Sequence, residues 1–319
     1  MAFPENFLQE LIERNDITDV VGGYVRLTKR SGSNQFGLCP FHSEKTPSFS
    51  VSADKQIYHC FGCGKGGGVI NFIMEIESLS YPEAVEFLAK RVGSICVAYE
   101  GMERFFPADK ITFSGNPIRK EIHEYSPEDR KEGLGFYGLS ENKKHLLVVG
   151  GSLGSGTLNK SMKKWIESGC PGGEDVEVLW QCGKYYKQGV DEFMKGRELP
   201  GIHYSDFISR MDLAYACADL IISRSGASSI SEICAARKAA IFVPSPNVAE
   251  DHQTHNAMAL VSKDAAAMVK DSEAPDKLLR EAMALIHDEE RLHGMETNVA
   301  PLARLDAAQT IIDEVYKLV

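Results

Sequence analysis

The sequence predicts an α/β chain in which a parallel, doubly wound sheet follows a small α+β metal ribbon. Three observations carry this. Leu146–Gly156, LLVVGGSLGSG, runs four apolar residues into a glycine-rich turn and then a helical pattern, which is strand, loop, helix. From there strands and helices alternate to the C-terminus at the spacing of parallel crossovers. Near the N-terminus, Cys39-Pro-Phe-His42 and Cys60-Phe-Gly-Cys63 each leave two residues between candidate ligands.

The 319 residues suffice for two domains. A net charge of −10 excludes a whole-protein nucleic-acid binder, though not a local basic patch. No apolar run reaches membrane-span length, and MAFPENFLQE lacks the pattern of a signal peptide. Of eight cysteines, Cys39, Cys60 and Cys63 cluster, while Cys96, Cys170, Cys182, Cys217 and Cys234 are scattered. That usage points to a reducing cytoplasm and one metal site rather than a disulfide framework.

In chain order, Phe3–Asn15 places Phe7, Leu8, Leu11 and Ile12 on one helical face, and Asp16–Val21 reads as another short helix. Tyr24–Lys29 alternates and reads as a strand before the turn at Arg30. Ser48–Ser52 and Gln56–Cys60 are the strands of a hairpin between the two ligand pairs. Three thiolates and one imidazole close a tetrahedral zinc shell with no open position, so the site is expected to be structural. Arg26, Lys29, Arg30, Lys45, Lys55 and Lys65 surround it, with Phe36, Phe41, Phe49, Tyr58 and Phe61 interleaved. Basic and aromatic side chains together suit single-stranded nucleic acid, with Tyr58 the candidate stacking ring. Most of the aromatics are expected in the ribbon's own core. Amphipathic helices follow at Val69–Glu77 and from Tyr81 to about Lys90.

CPFHSEKTPSFSVSADKQIYHCFGCGKGGGVINFIMEIESLSYPEAVEFLAKRVG, within Phe3–Gly93, resembles the zinc-binding domain of DnaG-type bacterial primases. The resemblance implies Cys39, His42, Cys60 and Cys63 as zinc ligands and single-stranded template DNA as partner. It stops there: nothing after Gly93 reads as the metal-binding polymerase domain of a primase, so primer synthesis is not expected.

Ser94–Glu100 is a short strand-like piece, and Lys110–Ser114 is a strand running into Gly115-Asn-Pro-Ile-Arg119. Asp129–Glu141 is polar and glycine-bearing and reads as linker. Strands are expected at 146–149, 176–181, 202–204, 220–223, 240–243 and 267–269. Helices are expected near 157–168, 185–194, 211–217, 227–236, 253–262, 275–287 and 306–318. Ligands of such sheets sit beyond the C-terminal ends of the strands. The strand at 220–223 ends in Arg224-Ser-Gly-Ala-Ser-Ser, a turn of small residues able to hold a diphosphate at a helix N-terminus. Glu232, further along that helix, can accept hydrogen bonds from ribose hydroxyls or stand as an ordinary solvated residue. Pro244-Ser-Pro-Asn and Glu250-Asp-His-Gln253 offer polar groups to a sugar or form an ordinary loop and helix cap. Arg119 either faces a phosphate or is simply exposed.

GNPIR, LLVVGGSLGS, SRSGASSISEI and FVPSPNVAEDHQTHNA together resemble the MurG-type transferases that add N-acetylglucosamine to lipid I in peptidoglycan synthesis. The resemblance covers Ile95–Val319, about the C-terminal two-thirds of such an enzyme. It implies the C-terminal Rossmann-like half of a GT-B fold, which holds UDP-N-acetylglucosamine. It places Arg119, Ser152 and the Arg224, Ser225, Gly226 turn near the diphosphate. The Ile208 backbone would lie at the uracil, Glu232 at the ribose and Gln253 at the sugar. Gly156 stands where many members carry arginine. The N-terminal half, with its lipid-acceptor site, has no counterpart here; Ile95–Tyr99 resembles its last strand, left without its sheet.

The reading is a chimeric chain: a primase-like zinc ribbon at 1–93, a connecting segment at 94–145 and a UDP-sugar-binding domain at 146–319. The function classes are a glycosyltransferase donor domain, expected to be incompetent for transfer alone, and a zinc-dependent single-stranded-DNA module of replication. A third reading is a recombination or assembly artefact. Localisation is expected in the cytoplasm, where by resemblance the transferase works at the inner face of the membrane.

Overall fold

The structure is a computed structural model and describes residues 3, 5–89, 93–99, 101–104, 106–248 and 251–317. The expected helix end at Lys90, the candidate Glu250 and the C-terminal Leu318 lie outside the described residues. The chain divides into two compact units, Met1–Gly115 with Gln309–Val319, and Asn116–Ala308.

The first unit begins with α1 (Glu5–Arg14) and α2 (Ile17–Gly22). Strands β1 (Lys29–Ser31), β2 (Asn34–Gly37), β3 (Phe49–Ser52), β4 (Ile57–Cys60) and β5 (Gly66–Gly67) form one antiparallel sheet in sequence order. Helices α3 (Val69–Ile76) and α4 (Tyr81–Ala89) follow. Alternation along β3 and β4 turns Phe49, Val51, Tyr58 and Cys60 inward. Phe49 stacks on Tyr58 at 5.3 Å, and Phe72 of α3 meets Tyr58 edge-on at 5.4 Å.

One expectation for this unit needs correction. Tyr24–Lys29 is not a strand; pairing starts at Lys29, which faces Phe36. Gly22 and Gly23 end α2 there, and the Tyr24 and Val25 N–H groups still bond back to Val21, so this chain is wound rather than extended. Ile95–Tyr99, expected without its sheet, is nevertheless not unpaired. Strand β6 (Ile95–Val97) pairs in parallel with β7 (Ile111–Phe113), and Ile95 and Val97 are buried in the same core as Phe3 and Phe7.

The second unit is a six-stranded, all-parallel sheet. In chain order it comprises α5 (Pro127–Tyr137), β8 (Lys144–Val149), α6 (Gly156–Glu167), β9 (Val176–Gln181), α7 (Lys187–Met194) and β10 (Ile202–Ser205). Then come α8 (Met211–Cys217), β11 (Leu220–Ser223), α9 (Ala227–Ala235), β12 (Ala240–Phe242), α10 (His252–Val261) and β13 (Ala267–Met268). Helices α11 (Ala274–Ile286) and α12 (Glu289–Val299) complete it; α13 (Ala307–Tyr316) runs from its end into the first unit. Strand order is β10-β9-β8-β11-β12-β13, so the chain winds outward from β8 in one direction and from β11 in the other. The crevice between their C-terminal ends is the switch point of a Rossmann sheet. Both faces are covered: one core gathers Met162, Trp165, Val190 and Leu278, the other Leu134, Tyr215, Ile230 and Ala257. Continuous burial of β9 and β11 follows from this layering.

Asp129–Glu141 is not a linker. Ser126 accepts the Asp129 N–H while Asp129 accepts the Ser126 N–H, Pro127 opens α5, and Gly138 closes it at φ +67°. The glycines that weaken the helical pattern serve packing: a Cβ on Gly133 would stand 2.6 Å from the Leu213 carbonyl oxygen of α8. Arg130 also donates to the Cys217 carbonyl at 2.6 Å and pairs with Asp219 at 3.0 Å. Helix α12 had no counterpart in the sequence reading; Asp288 caps it.

Asn159, buried on α6, accepts the Trp180 indole N–H at 2.9 Å and donates to the Cys182 carbonyl at 2.9 Å. Asn159→Leu would leave both groups unpaired and is expected to destabilise this unit by about 2–4 kcal/mol. Both tryptophans, Trp165 and Trp180, lie in this unit, so urea unfolding followed by tryptophan fluorescence isolates the effect. An unchanged midpoint would contradict this.

Candidate functional site

In the first unit, the sheet brings Cys39, His42, Cys60 and Cys63 together, with ligand atoms within 4.8 Å of one another. Cys39 Sγ lies 3.8 Å from Cys63 Sγ, and Cys60 Sγ 3.8 Å from His42 Nδ1. Zinc–sulfur bonds of about 2.3 Å arranged tetrahedrally put two sulfurs roughly 3.8 Å apart, so the donor set and spacing fit zinc. Burial pushes the Cys39 thiol up to about 12, and its sulfur neighbours add to this. Burial acts the same way on Cys60, but the hydrogen-bonding contact with Ser48 Oγ at 3.3 Å and the Cys63 and Gly62 N–H groups outweigh it and bring that thiol to about 6. A knuckle of inward N–H groups thus prepares a thiolate.

Arg26, Lys29, Arg30, Lys45, Lys55 and Lys65 are all exposed. Lys65 pairs with Glu75 and lies over the Phe41 ring. Tyr58 is only 2% exposed and has no face to offer a base, because the ribbon needs its ring inside. Of the five interleaved rings, Phe61 is exposed, against His59 at 4.8 Å.

In the second unit, the glycine turn after β8 crosses the turn after β9 backbone to backbone. Gly154 is at φ +84°, and a Cβ there would stand 2.2 Å from the Cys182 carbonyl oxygen; one on Gly183 would stand 2.3 Å from Gly154. No other residue fits either position. The turn exposes Ser152 and leaves open space beside Gly151. Gln181, buried at the end of β9, donates to the Gly151 carbonyl at 2.9 Å and accepts the Ile208 N–H at 3.0 Å. The Ile208 N–H is therefore engaged, leaving its carbonyl as the backbone group to offer.

The adjacent strand β11 ends in the Arg224–Gly226 turn. Arg224 points its guanidinium inward, donating to the Val243 and Pro244 carbonyls at 2.9 and 3.2 Å and to Asp271 at 2.5 Å. It braces two strand ends. Ser225 is fully buried and donates to the Gln253 carbonyl at 2.8 Å. What the turn presents outward is backbone: Gly226 precedes α9 with open space beside it and no side chain capping the helix. The Gln253 side-chain oxygen accepts the Ser245 N–H at 2.9 Å.

Arg119 and Glu232 meet in a two-pronged ion pair, Nε to Oε1 at 2.8 Å and Nη2 to Oε2 at 2.7 Å. The Tyr215 hydroxyl donates to the same Oε2 at 3.2 Å, and burial pushes that phenol's pKa up. Asn116 anchors the segment before Arg119 by donating to Ser231 of α9 at 3.1 Å. Sequence reasoning missed Tyr215, Gln181 and Asp271, whose roles depend on contacts distant in sequence. It also missed Glu44, which the spacing His42-Ser-Glu44 could have suggested as a partner of the ligand histidine. A groove of about 730 Å³ between α6 and α11 contains none of the candidate residues.

Residues 145–311 match the glycosyltransferase family 28 C-terminal domain, more than half of the chain. The chain belongs to this family. Residues 3–103 match the CHC2 zinc finger of DnaG type, in which the four-ligand cluster lies. A UDP-N-acetylglucosamine–N-acetylmuramyl-(pentapeptide) pyrophosphoryl-undecaprenol N-acetylglucosamine transferase of Parabacteroides distasonis is 49% identical over 73% of this chain and 63% of its own length. The transferase of the same name from Flavobacterium psychrophilum is 39% identical over 94% of this chain and 84% of its own. The crystal structure of Acinetobacter baumannii MurG matches at 26% identity with a TM-score of 0.56, covering 72% of this chain and 63% of that one. The family 28 sheet described above is thus the MurG-like, GT-B type. The chain spans 63% and 62% of the length of two of these relatives, from P. distasonis and Bacteroides thetaiotaomicron. Among the described residues, no helix of this family 28 chain is long and apolar enough to cross a membrane.

Proposed function

We propose that this is a chimeric chain in which a MurG-like domain, 146–319, binds UDP-N-acetylglucosamine beside a primase-like zinc ribbon, 1–93, joined by 94–145. The observation that carries the donor reading is the Arg119–Glu232–Tyr215 cluster along α9, whose open N-terminus follows β11 at the sheet's switch point. The free N–H groups and positive end of α9 suit a diphosphate. Glu232 has about four acceptor positions, of which Arg119 and Tyr215 fill three, so one remains for a ribose hydroxyl. Arg119 is half exposed and keeps Nη1 for a phosphate oxygen. The Ser152 hydroxyl adds to the diphosphate site, the Ile208 carbonyl suits the uracil N–H, and Gln253 faces the sugar. Transfer needs more: an acceptor hydroxyl held at the anomeric carbon and a base within reach of its proton. Glu232, engaged by Arg119, Tyr215 and the ribose, is no candidate for that base, so the chain alone should bind donor without transferring it to lipid I.

A second reading belongs to the first unit, on the exposed basic residues around the zinc ligands and the exposed Phe61. These suit weak, phosphate-led binding of single-stranded DNA.

Calorimetry should show one UDP or UDP-N-acetylglucosamine bound per chain, with Glu232→Ala weakening it about tenfold or more and Tyr215→Phe roughly two- to tenfold. Wild type should prefer UDP over 2′-deoxy-UDP, and Glu232→Ala should not. Absence of binding, or turnover of lipid I by the purified chain, would refute the proposal.

The protein should carry one zinc. Chelation should unfold the ribbon, whose metal supplies on the order of 10 kcal/mol of folding free energy, and leave tryptophan fluorescence unchanged. Protein purified without chelator yet free of zinc would refute it. Oligonucleotide anisotropy should show binding that disappears as salt rises from about 50 to 200 mM. Salt-independent binding would exclude this phosphate-led mode.

A further inference from the structure

We propose that Glu44 is the positioning residue of the metal centre: its carboxylate holds the His42 ring so that Nδ1 faces the ion, and ties the two ligand knuckles together. This rests on the zinc reading above. The imidazole lies with Nδ1 3.8 Å from Cys60 Sγ, on the side of the sulfurs, while Nε2 lies 3.3 Å from Glu44 Oε2. A histidine that ligates through one nitrogen presents N–H at the other, and a carboxylate there fixes both tautomer and ring plane.

The rest of the carboxylate is equally engaged. Oε1 accepts the Cys39 N–H at 2.7 Å and the Ser48 N–H at 3.1 Å; Oε2 accepts the Ser48 hydroxyl at 2.5 Å along with the His42 contact. Four donors meet about four acceptor positions, so the carboxylate is saturated. Its donors start from the first knuckle, and Ser48 Oγ reaches the second, 3.3 Å from Cys60 Sγ. The side chain is only 10% exposed, and water has little access to replace it. Gly62 keeps the arrangement open: a Cβ there would stand 2.6 Å from His42 Nε2 and 2.9 Å from Ser48 Oγ, in the space the ring needs to reach Glu44.

The test uses the full chain, first shown by elemental analysis to hold one zinc; an empty wild type refutes the zinc reading itself. Zinc release to a chromogenic chelator should be roughly 10- to 100-fold faster in Glu44→Ala than in wild type. Glu44→Gln, which keeps the shape but turns an amide toward the imidazole, should also release faster. In ¹⁵N-histidine-labelled wild type, the zinc-dependent ring should show metal at Nδ1 and a proton at Nε2. Ligation through Nε2, or release from Glu44→Ala at the wild-type rate, overturns the proposal. Should Glu44→Ala fail to fold, the Glu44→Gln rate decides in its place.

Discussion

Parallel strands cannot be joined by a tight turn; each must be followed by a crossover that returns the chain to the starting edge. That constraint organises the second unit. It puts the segments after β8, β9, β10, β11 and β12 on one edge, though their residues lie far apart in sequence. Because β8 and β11 are neighbours from which the chain winds away in opposite directions, their two helices splay and leave a crevice lined by backbone. The side chains around it then divide the work. Arg224, Ser225 and Gln181 turn inward and brace the loops, while Arg119 and the open backbone at Gly151 and Gly226 face outward.

Most of this was legible because parallel strands buried on both faces read as unbroken apolar runs. Leu146–Val149 and Leu220–Ile222 are such runs. What escaped was decided by tertiary contact. Pro127–Tyr137 carries two glycines and five charged residues, and its local preference is poor. Gly133 is there because α8 comes too close for a side chain, and nothing nearby in sequence says so. The candidate site divides the same way. Residue types and turns were readable, but the inward aim of Arg224 and the burial of Tyr58 depend on packing.

The first unit solves a different problem. Its sheet is small, and its polar ligands must sit beside a core of few aromatic rings. The structure enlarges that core with Ile95, Val97, Met102 and Phe106, from beyond the ribbon itself. Phe7 and Phe106 pack at 4.5 Å, so the strand pair after the ribbon belongs to the same hydrophobic cluster as the first helix. The residues that follow Ser94 thus have a buried place of their own.

The path of the chain has a consequence for synthesis. Ser94 donates to Glu314 at 2.8 Å across 220 residues of sequence, and Gln309–Val319 belongs to the same unit as the N-terminal ribbon. Emerging from a ribosome at about 5–20 residues per second, the ribbon would wait on the order of ten seconds or more for its last helix. The whole of Asn116–Ala308 can fold meanwhile from contiguous sequence. Of the two units, the one begun earlier is therefore completed later, and it passes that interval with the surface that will receive α13 uncovered.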